Sequence, residues 1–217
     1  MDNIKWLFFD MGGTIIDETA AWADRIQRTC KKHSIPEPEF RRVMAEAASR
    51  NEMEYFSALT HFGICEREKW NSAPEIAYPE AKAVLETLKS NGYRLGIIAN
   101  QGLDARDRLK KFALYDLFEV IVISQEQGIS KPSPAIFLDA LYKAQTTAEK
   151  CTMIGDKLTN DITPAKALGF NTVWIRQEWG GLQTISSPEM EPDHIIEKLT
   201  DLLKIFNTPI DKADLLC

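Results

Sequence analysis

Leu7-Phe8-Phe9-Asp10-Met11-Gly12-Gly13-Thr14 carries an apolar run straight into an acid and then into a Gly-Gly pair. The run is short for a helix and the glycines break it almost at once, so Ile4 to Phe9 reads as a strand buried on both faces. A second stretch repeats the arrangement: Met153-Ile154-Gly155-Asp156 ends an apolar run on another acid, and Lys157-Leu158-Thr159-Asn160-Asp161 follows. Two carboxylates delivered by separate strand ends point to a magnesium-dependent phosphoryl-transfer site, because Mg²⁺ takes a few carboxylate oxygens and leaves room for water and phosphate.

Between and beyond these stretches the pattern is regular after Gly92. Strand patterns over Leu95 to Asn100, Phe118 to Ser124, Cys151 to Gly155 and Thr172 to Ile175 alternate with helical ones near Asp104 to Phe112, Pro134 to Ala144 and Asp161 to Leu168. A last amphipathic helix is expected over Ile196 to Phe206, and Ser186 to Pro192 reads as an exposed loop. Short apolar strands alternating with helices predict an α/β fold, a doubly wound, mostly parallel, Rossmann-like sheet. Such sheets place their sites at the carboxyl ends of the strands, where Asp10, Asn100 and Asp156 stand. From about Asp17 to Asn71 the character changes. Ala20, Trp22, Ile26 and Cys30, then Phe40, Val43, Met44 and Ala47, recur at helical spacing on either side of Pro36 and Pro38, with no strand signal. Pro79 then opens a helix that stops at Asn91-Gly92.

The chain has 217 residues, 44% hydrophobic and 27% charged, enough for one full core and a small appended unit. Its uninterrupted apolar runs fall far short of the roughly 20 residues a membrane span needs, so no membrane partner is expected. The N-terminus, with Asp2, Lys5 and Asp10 around a short apolar run, lacks a signal-peptide layout, and a cytoplasmic protein is expected. A net charge of −6 argues against nonspecific nucleic-acid binding. The basic cluster Arg106 to Lys111 reads as a helix with a solvated face. Cys30, Cys65, Cys151 and Cys217 are too scattered for a zinc or redox motif, and His33, His61 and His194 stand apart.

Taken in order, Asp10-Met11-Gly12-Gly13-Thr14, Gly96-Ile97-Ile98-Ala99-Asn100, Lys131 in Ser130-Lys131-Pro132, and Gly155-Asp156 with Asp161 resemble the motifs of haloacid dehalogenase-like hydrolases. The resemblance covers nearly the whole chain. It implies an α/β core from residues 1–16 and 76–217 and a small α-helical cap from residues 17–75. It further implies Asp10 as nucleophile, a Mg²⁺ held by Asp10, the Gly12 carbonyl and Asp156, and Lys131 set against the phosphoryl oxygens. Asp161 either bonds a water on the metal or caps a helix. Asn100 is expected to offer its amide to phosphate, and Thr14 to shape the loop after the first strand or touch substrate. The implied activity is hydrolysis of a small phosphorylated metabolite through an aspartyl-phosphate, by a monomer or homodimer.

Two positions depart from the family pattern. Ala99 stands where Ser or Thr usually binds the phosphoryl group, and Gly12 stands where an Asp usually serves as general acid, a contribution of about 10²–10⁴ in rate. The acid would then come from the cap, from Asp17 or Glu18, or from the substrate itself. Family members that cleave carbon–phosphorus bonds carry Ala at the Gly12 position and use a cap lysine, for which Lys31, Lys32 and Lys69 are candidates. Dehalogenases carry Tyr there and lack the Gly-Asp pair, so halide chemistry is not expected. A noncatalytic module binding a phosphorylated ligand or partner is the alternative from another class.

Overall fold

Trp6–Phe9 forms strand β1, and every residue of it is buried. The computed structural model, which describes residues 4–207, places β1 between two parallel neighbours. In chain order the other strands are β2 (Ile16–Asp17), β3 (Ile76–Ala77), β4 (Arg94–Ala99), β5 (Val120–Ile123), β6 (Cys151–Gly155), β7 (Asn171–Ile175) and β8 (His194–Ile196). Six of them form one parallel sheet in the order β5-β4-β1-β6-β7-β8, with Phe9 opposite Ile97 on one side and Ile154 on the other. The chain runs outward from β1 through β4 and β5, then returns to β1's other side at β6. That reversal opens a crevice at the carboxyl ends of β1, β4 and β6.

Alternate residues of the strands feed opposite layers, as the pleat requires. Leu7, Phe9, Leu95, Ile97 and Ile154 face a core with helices α4 (Ala81–Ser90), α5 (Ala105–Lys111) and α9 (Leu202–Ile205). Trp6, Phe8, Ile98 and Met153 face a second core with α7 (Pro134–Ala144) and α8 (Thr163–Ala167). Gly96 is small for a reason: a Cβ there would come within 2.5 Å of the Phe8 ring. A short helix α6 (Ser124–Gln127) follows β5.

Residues 17–75 add nothing to the large sheet. They form α1 (Thr19–His33), α2 (Glu37–Ser49) and α3 (Glu54–His61), then an irregular stretch returning to the core. These helices hold a hydrophobic cluster of their own around Ile26, Phe40, Met44, Tyr55 and Leu59. At its base β2 and β3 pair antiparallel, Ile16 against Ala77 and Asp17 against Ile76, so both connections pass through one short ribbon.

The expected helix over Ile196 to Phe206 is corrected. Its first residue closes the sixth strand, His194–Ile196, and only Leu199–Asp201 and Leu202–Ile205 are helical, as a 3₁₀ turn and a single α turn. Ile196, Leu199, Leu202 and Phe206 are buried at spacings that serve a strand end followed by a turn as well as a helix. The solvated face expected for Arg106 to Lys111 is also partly corrected: Arg108 points inward, 6% exposed, and pairs with buried Glu75 at 2.5 Å. Among the described residues no helix is long and apolar enough to cross a membrane. Cys30 and Cys151 are buried and Cys65 exposed, all as free thiols; Asp2 and Cys217 lie outside the described residues.

Candidate active site

Asp10 sits one residue past β1, its backbone N–H bonded to the Ile154 carbonyl at 2.8 Å, which extends the strand register to the carboxylate. From across the crevice Lys131 reaches it. The Lys131 ammonium, 4% exposed, donates to Asp10 Oδ1 at 2.6 Å, Asp161 Oδ1 at 2.5 Å and the Ile98 carbonyl at 2.9 Å. Burial alone would lower its pKa; the Asp10 and Asp161 carboxylates outweigh that and raise it, so the lysine is a fixed cation. Asn100 holds this lysine in place. Its carbonyl oxygen accepts the Lys131 backbone N–H at 2.7 Å and its amide donates to the Lys131 carbonyl at 2.8 Å. Its side chain still lines the cavity, but one amide N–H is committed to the loop.

Asp156 directly follows β6 and is 4% exposed, yet no described donor bonds its carboxylate, while the indole of Trp174 donates to its backbone carbonyl at 2.6 Å. Burial, then the Asp161 charge, pushes its pKa well up. Asp161 lies in a π-helical turn, Leu158–Ile162; its Oδ2 accepts the Lys157 N–H at 3.0 Å while Oδ1 takes the lysine. It therefore both caps the turn and positions Lys131, and burial lifts it to about 6 despite the lysine's opposing pull. One oxygen each of Asp10, Asp156 and Asp161 falls within 4.8 Å of the others. Gly13, at φ +67°, keeps this space open, since a Cβ there would stand 2.8 Å from Asp156 Oδ2. A buried, donorless carboxylate beside two more is an electrostatic deficit that a hard divalent cation fits.

Gly12 has a tenant in the space its side chain lacks. A Cβ built on it would overlap the Glu18 carboxyl, with Oε2 at 2.6 Å. Glu18 reaches in from the start of α1, and Gln101 Nε2 donates to its Oε1 at 3.1 Å. Gln101 is itself fixed, accepting from Arg108 at 2.5 Å. Burial first, then the charges of Glu178 and Glu75, raise the Glu18 carboxyl to about 8. Asp17, the other acid named from the sequence, instead accepts the Thr19 N–H at 2.9 Å and does not line the cavity. Thr14 is fully buried away from the cavity, and among the described residues its hydroxyl has no hydrogen-bond partner.

Residues 7–175 match the profile of the family described as haloacid dehalogenase-like hydrolases. The chain belongs to that family. It is 32% identical over 224 residues to a glyceraldehyde 3-phosphate phosphatase of Pyrococcus abyssi, covering 93% of each chain. It is 29% identical to a phosphoserine phosphatase of Thermus thermophilus, over 88% of this chain and 68% of that one. In structure it resembles a haloacid dehalogenase-like phosphatase from Thermococcus onnurineus with a TM-score of 0.67 and 25% identity, covering 95% of this chain and all of that one. A haloacid dehalogenase-like hydrolase is thus what the strand-end motifs had implied.

Several cavity residues carried no legible motif. Lys157 pairs with buried Glu54 of α3 at 2.6 Å, tying the helical segment to the residue after Asp156. Glu178, just past β7, accepts the Glu18 backbone N–H at 2.7 Å and the Tyr78 hydroxyl at 3.1 Å, and burial lifts it to about 7. Trp179 packs against the cluster of the helical segment. The inner cavity, about 180 Å³, includes Asp10, Glu18, Asn100, Lys131, Asp156 and Asp161, whereas Lys31, Lys32 and Lys69 do not line it. Lys32 is spent on Glu66 and Glu68 at the surface. Of the three lysines named for carbon–phosphorus cleavage, none reaches the inner cavity, and Lys69 lines only the wider one beside it.

Proposed function

We propose that this hydrolase is a Mg²⁺-dependent phosphatase acting on a small phosphorylated metabolite, with Asp10 as nucleophile and Glu18 as general acid and base. One observation carries the reading: the Lys131-anchored Asp10 faces a carboxyl that occupies the place of the absent side chain at Gly12. Asp10, Asp156 and the backbone of Gly12 would hold Mg²⁺, with Asp161 at the edge. The ion, when bound, would neutralise charge on the phosphoryl oxygens.

In the first step an Asp10 oxygen attacks phosphorus and the bond to the leaving oxygen breaks. Lys131 fixes the orientation of Asp10 and offsets the charge gathering on the equatorial oxygens. Glu18, raised to about 8, is protonated at neutral pH and gives its proton to the departing oxygen. The resulting Glu18 carboxylate then takes a proton from water, which attacks the phosphorus of the aspartyl-phosphate and releases inorganic phosphate and free Asp10. Ala99 removes one hydroxyl from the phosphoryl site, and Lys131, bonded to the neighbouring Ile98 carbonyl, carries that side of it.

We further propose residues 17–75 as a cap moving on the β2–β3 ribbon, supported by their separate hydrophobic cluster. The Lys157–Glu54 pair and the Asn51 side chain, bonded to both the N–H and the carbonyl of Thr184, would latch the closed form. The test is turnover of small phosphomonoesters with Mg²⁺, joined to acid quenching. A phosphorylated chain whose label maps to the Asp10 peptide is expected. Turnover without labelled enzyme would overturn the covalent mechanism, and binding without turnover would favour a noncatalytic module.

A further inference from the structure

Beyond Glu18 and Trp22 the inner cavity opens into a wider one of about 990 Å³, also bordered by Asn100 and Gln101. Of the charges along its wall, buried Arg108 and half-buried Glu68 are matched. Arg108 has Glu75 at 2.5 Å and Asp104 at 3.3 Å; Glu68 has Arg28 at 2.9 Å and Lys32 at 3.1 Å. Arg25, on α1, is the buried cation on this wall that is not matched. It is 9% exposed, and among the described residues no carboxylate lies within 4.0 Å of its guanidinium nitrogens.

What holds Arg25 is apolar and neutral. Its guanidinium carbon lies 4.0 Å from the Tyr55 ring centroid, 5.6 Å from Trp22 and 5.7 Å from Trp70, and its Nε donates to the Glu68 carbonyl at 3.0 Å. Tyr55 lies against the fork, the two indoles flank it at longer range, and the carbonyl takes its Nε edge. Proteins rarely bury a full charge without a counter-charge, because aromatic quadrupoles and a single carbonyl replace only part of the lost hydration. Exposed Arg67 and Lys69 on the same wall, also without a carboxylate partner among the described residues, add positive potential.

We propose that Arg25 receives a second anionic group, a carboxylate or a second phosphate, carried on the leaving portion of the substrate. This rests on the phosphatase reading, which puts the scissile phosphate in the inner cavity and sends the leaving portion past Glu18 and Trp22. Arg25 then acts as a specificity residue: the guanidinium edge left uncovered by the rings binds the anion, and substrates lacking one leave it unmatched.

The test compares ethyl phosphate, phosphoglycolate and ethylene glycol bisphosphate, which share a two-carbon leaving portion and differ at its far end. Wild type should favour at least one doubly anionic ester over ethyl phosphate. Arg25→Gln should lower kcat/KM for that ester about 10- to 100-fold, chiefly through KM, with less than about threefold change for ethyl phosphate. Arg25→Lys, which keeps charge and stacking but not the fork, should fall between. Preference for phosphoglycolate identifies a carboxylate and preference for the bisphosphate a phosphate. Equal wild-type efficiency on all three, a comparison that needs no variant to fold, would overturn the proposal while leaving the phosphatase reading intact. Equal losses for all esters in Arg25→Gln would make the residue a packing element and also overturn it. Failure of wild type on every ester would overturn the phosphatase reading and this one together.

Discussion

The strand-end cluster and the helical segment facing it build the same cavity by different means. Asp10 and Asp156 are fixed by backbone: each directly follows a fully buried strand, and the register of β1 with β6 sets their separation. Glu18, Glu54 and Arg25 are fixed by packing and by partners far away in sequence, Gln101, Lys157 and the aromatic rings. On the proposed mechanism, chemistry that tolerates little displacement sits on the sheet. Selection and proton handling would then sit on the part that can be repacked, so that each can be perturbed without the other.

The sharpest way to break that division is at Asp10. Asp10→Asn keeps the shape and the strand register but removes the proposed nucleophile and half of the pairing to Lys131. Turnover should fall at least about 10⁴-fold with KM little changed, since the loss belongs to the reacting atoms. A loss of tenfold or less in steady-state assays would mean that another group attacks.

Glu18 comes next and tests the helical side. Glu18→Gln should cost about 10²–10⁴ in kcat on an alkyl phosphate and far less on an aryl ester with a good leaving group, whose departure needs little protonation. Gly12→Asp alone should gain nothing, because its Cβ would overlap the Glu18 carboxyl. In a Glu18→Ala background the vacated space admits the new side chain, and Gly12 is not in the left-handed backbone region, so Gly12→Asp should restore much of the loss. Paired kinetics of the two single variants and the double variant decide this. Independent, additive losses would show that the two positions do not share one task.

The difference between the two regions also explains what could be read from the chain. An apolar run ending on an acid is a local pattern, so β1, β6, Asp10 and Asp156 were legible, as was the change of character at Asp17. Glu18 was one of several candidates, because only tertiary packing decides whether it or Asp17 turns inward; Asp17 is spent on the Thr19 N–H. Arg25 was not legible, since its aromatic neighbours Tyr55 and Trp70 come from later in the chain. The sixth strand was missed because Ile196, Leu199 and Leu202 fit a helical period while Ile195 is half exposed at the sheet edge.

A smaller effect is expected on stability. Glu18, Glu178 and Asp161 are raised to about 8, about 7 and about 6, from ordinary values of 4.5, 4.5 and 3.8, each first of all by burial. The folded state therefore holds protons the unfolded chain releases, so their contribution is whole below about pH 4 and is lost as pH rises through about 6 to 8. Without metal, the melting temperature should fall between about pH 5 and pH 8. Mg²⁺ should raise it most at the upper end, where the carboxylates are ionised and bind best. Glu18→Gln should flatten the upper part of the slope, and Asp156→Asn should abolish the Mg²⁺ shift. A pH-independent melting temperature in the metal-free protein, or an undiminished Mg²⁺ shift in Asp156→Asn, would contradict the cluster as described.

The mildest perturbation joins the two regions. Glu54, 5% exposed at the start of α3, pairs with Lys157 at 2.6 Å, and burial's pull on the Lys157 pKa is outweighed by Glu54 and Asp156, which raise it. Glu54→Gln keeps a hydrogen-bond acceptor and removes the charge, so the helical segment should stay folded on its own hydrophobic cluster while its hold on the strand-end side weakens. KM should rise by roughly fivefold, the equivalent of about 1 kcal/mol, with kcat unchanged or slightly higher if opening limits product release. Amide exchange should quicken near residues 15–17 and 73–78, where the chain crosses the β2–β3 ribbon, and not within β1 or β6. Faster exchange throughout α1 to α3 would show instead that Glu54 supports the fold of that segment. Unchanged exchange at the ribbon with unchanged KM would remove the salt bridge from any part in closure, leaving the Asn51–Thr184 contact to account for it.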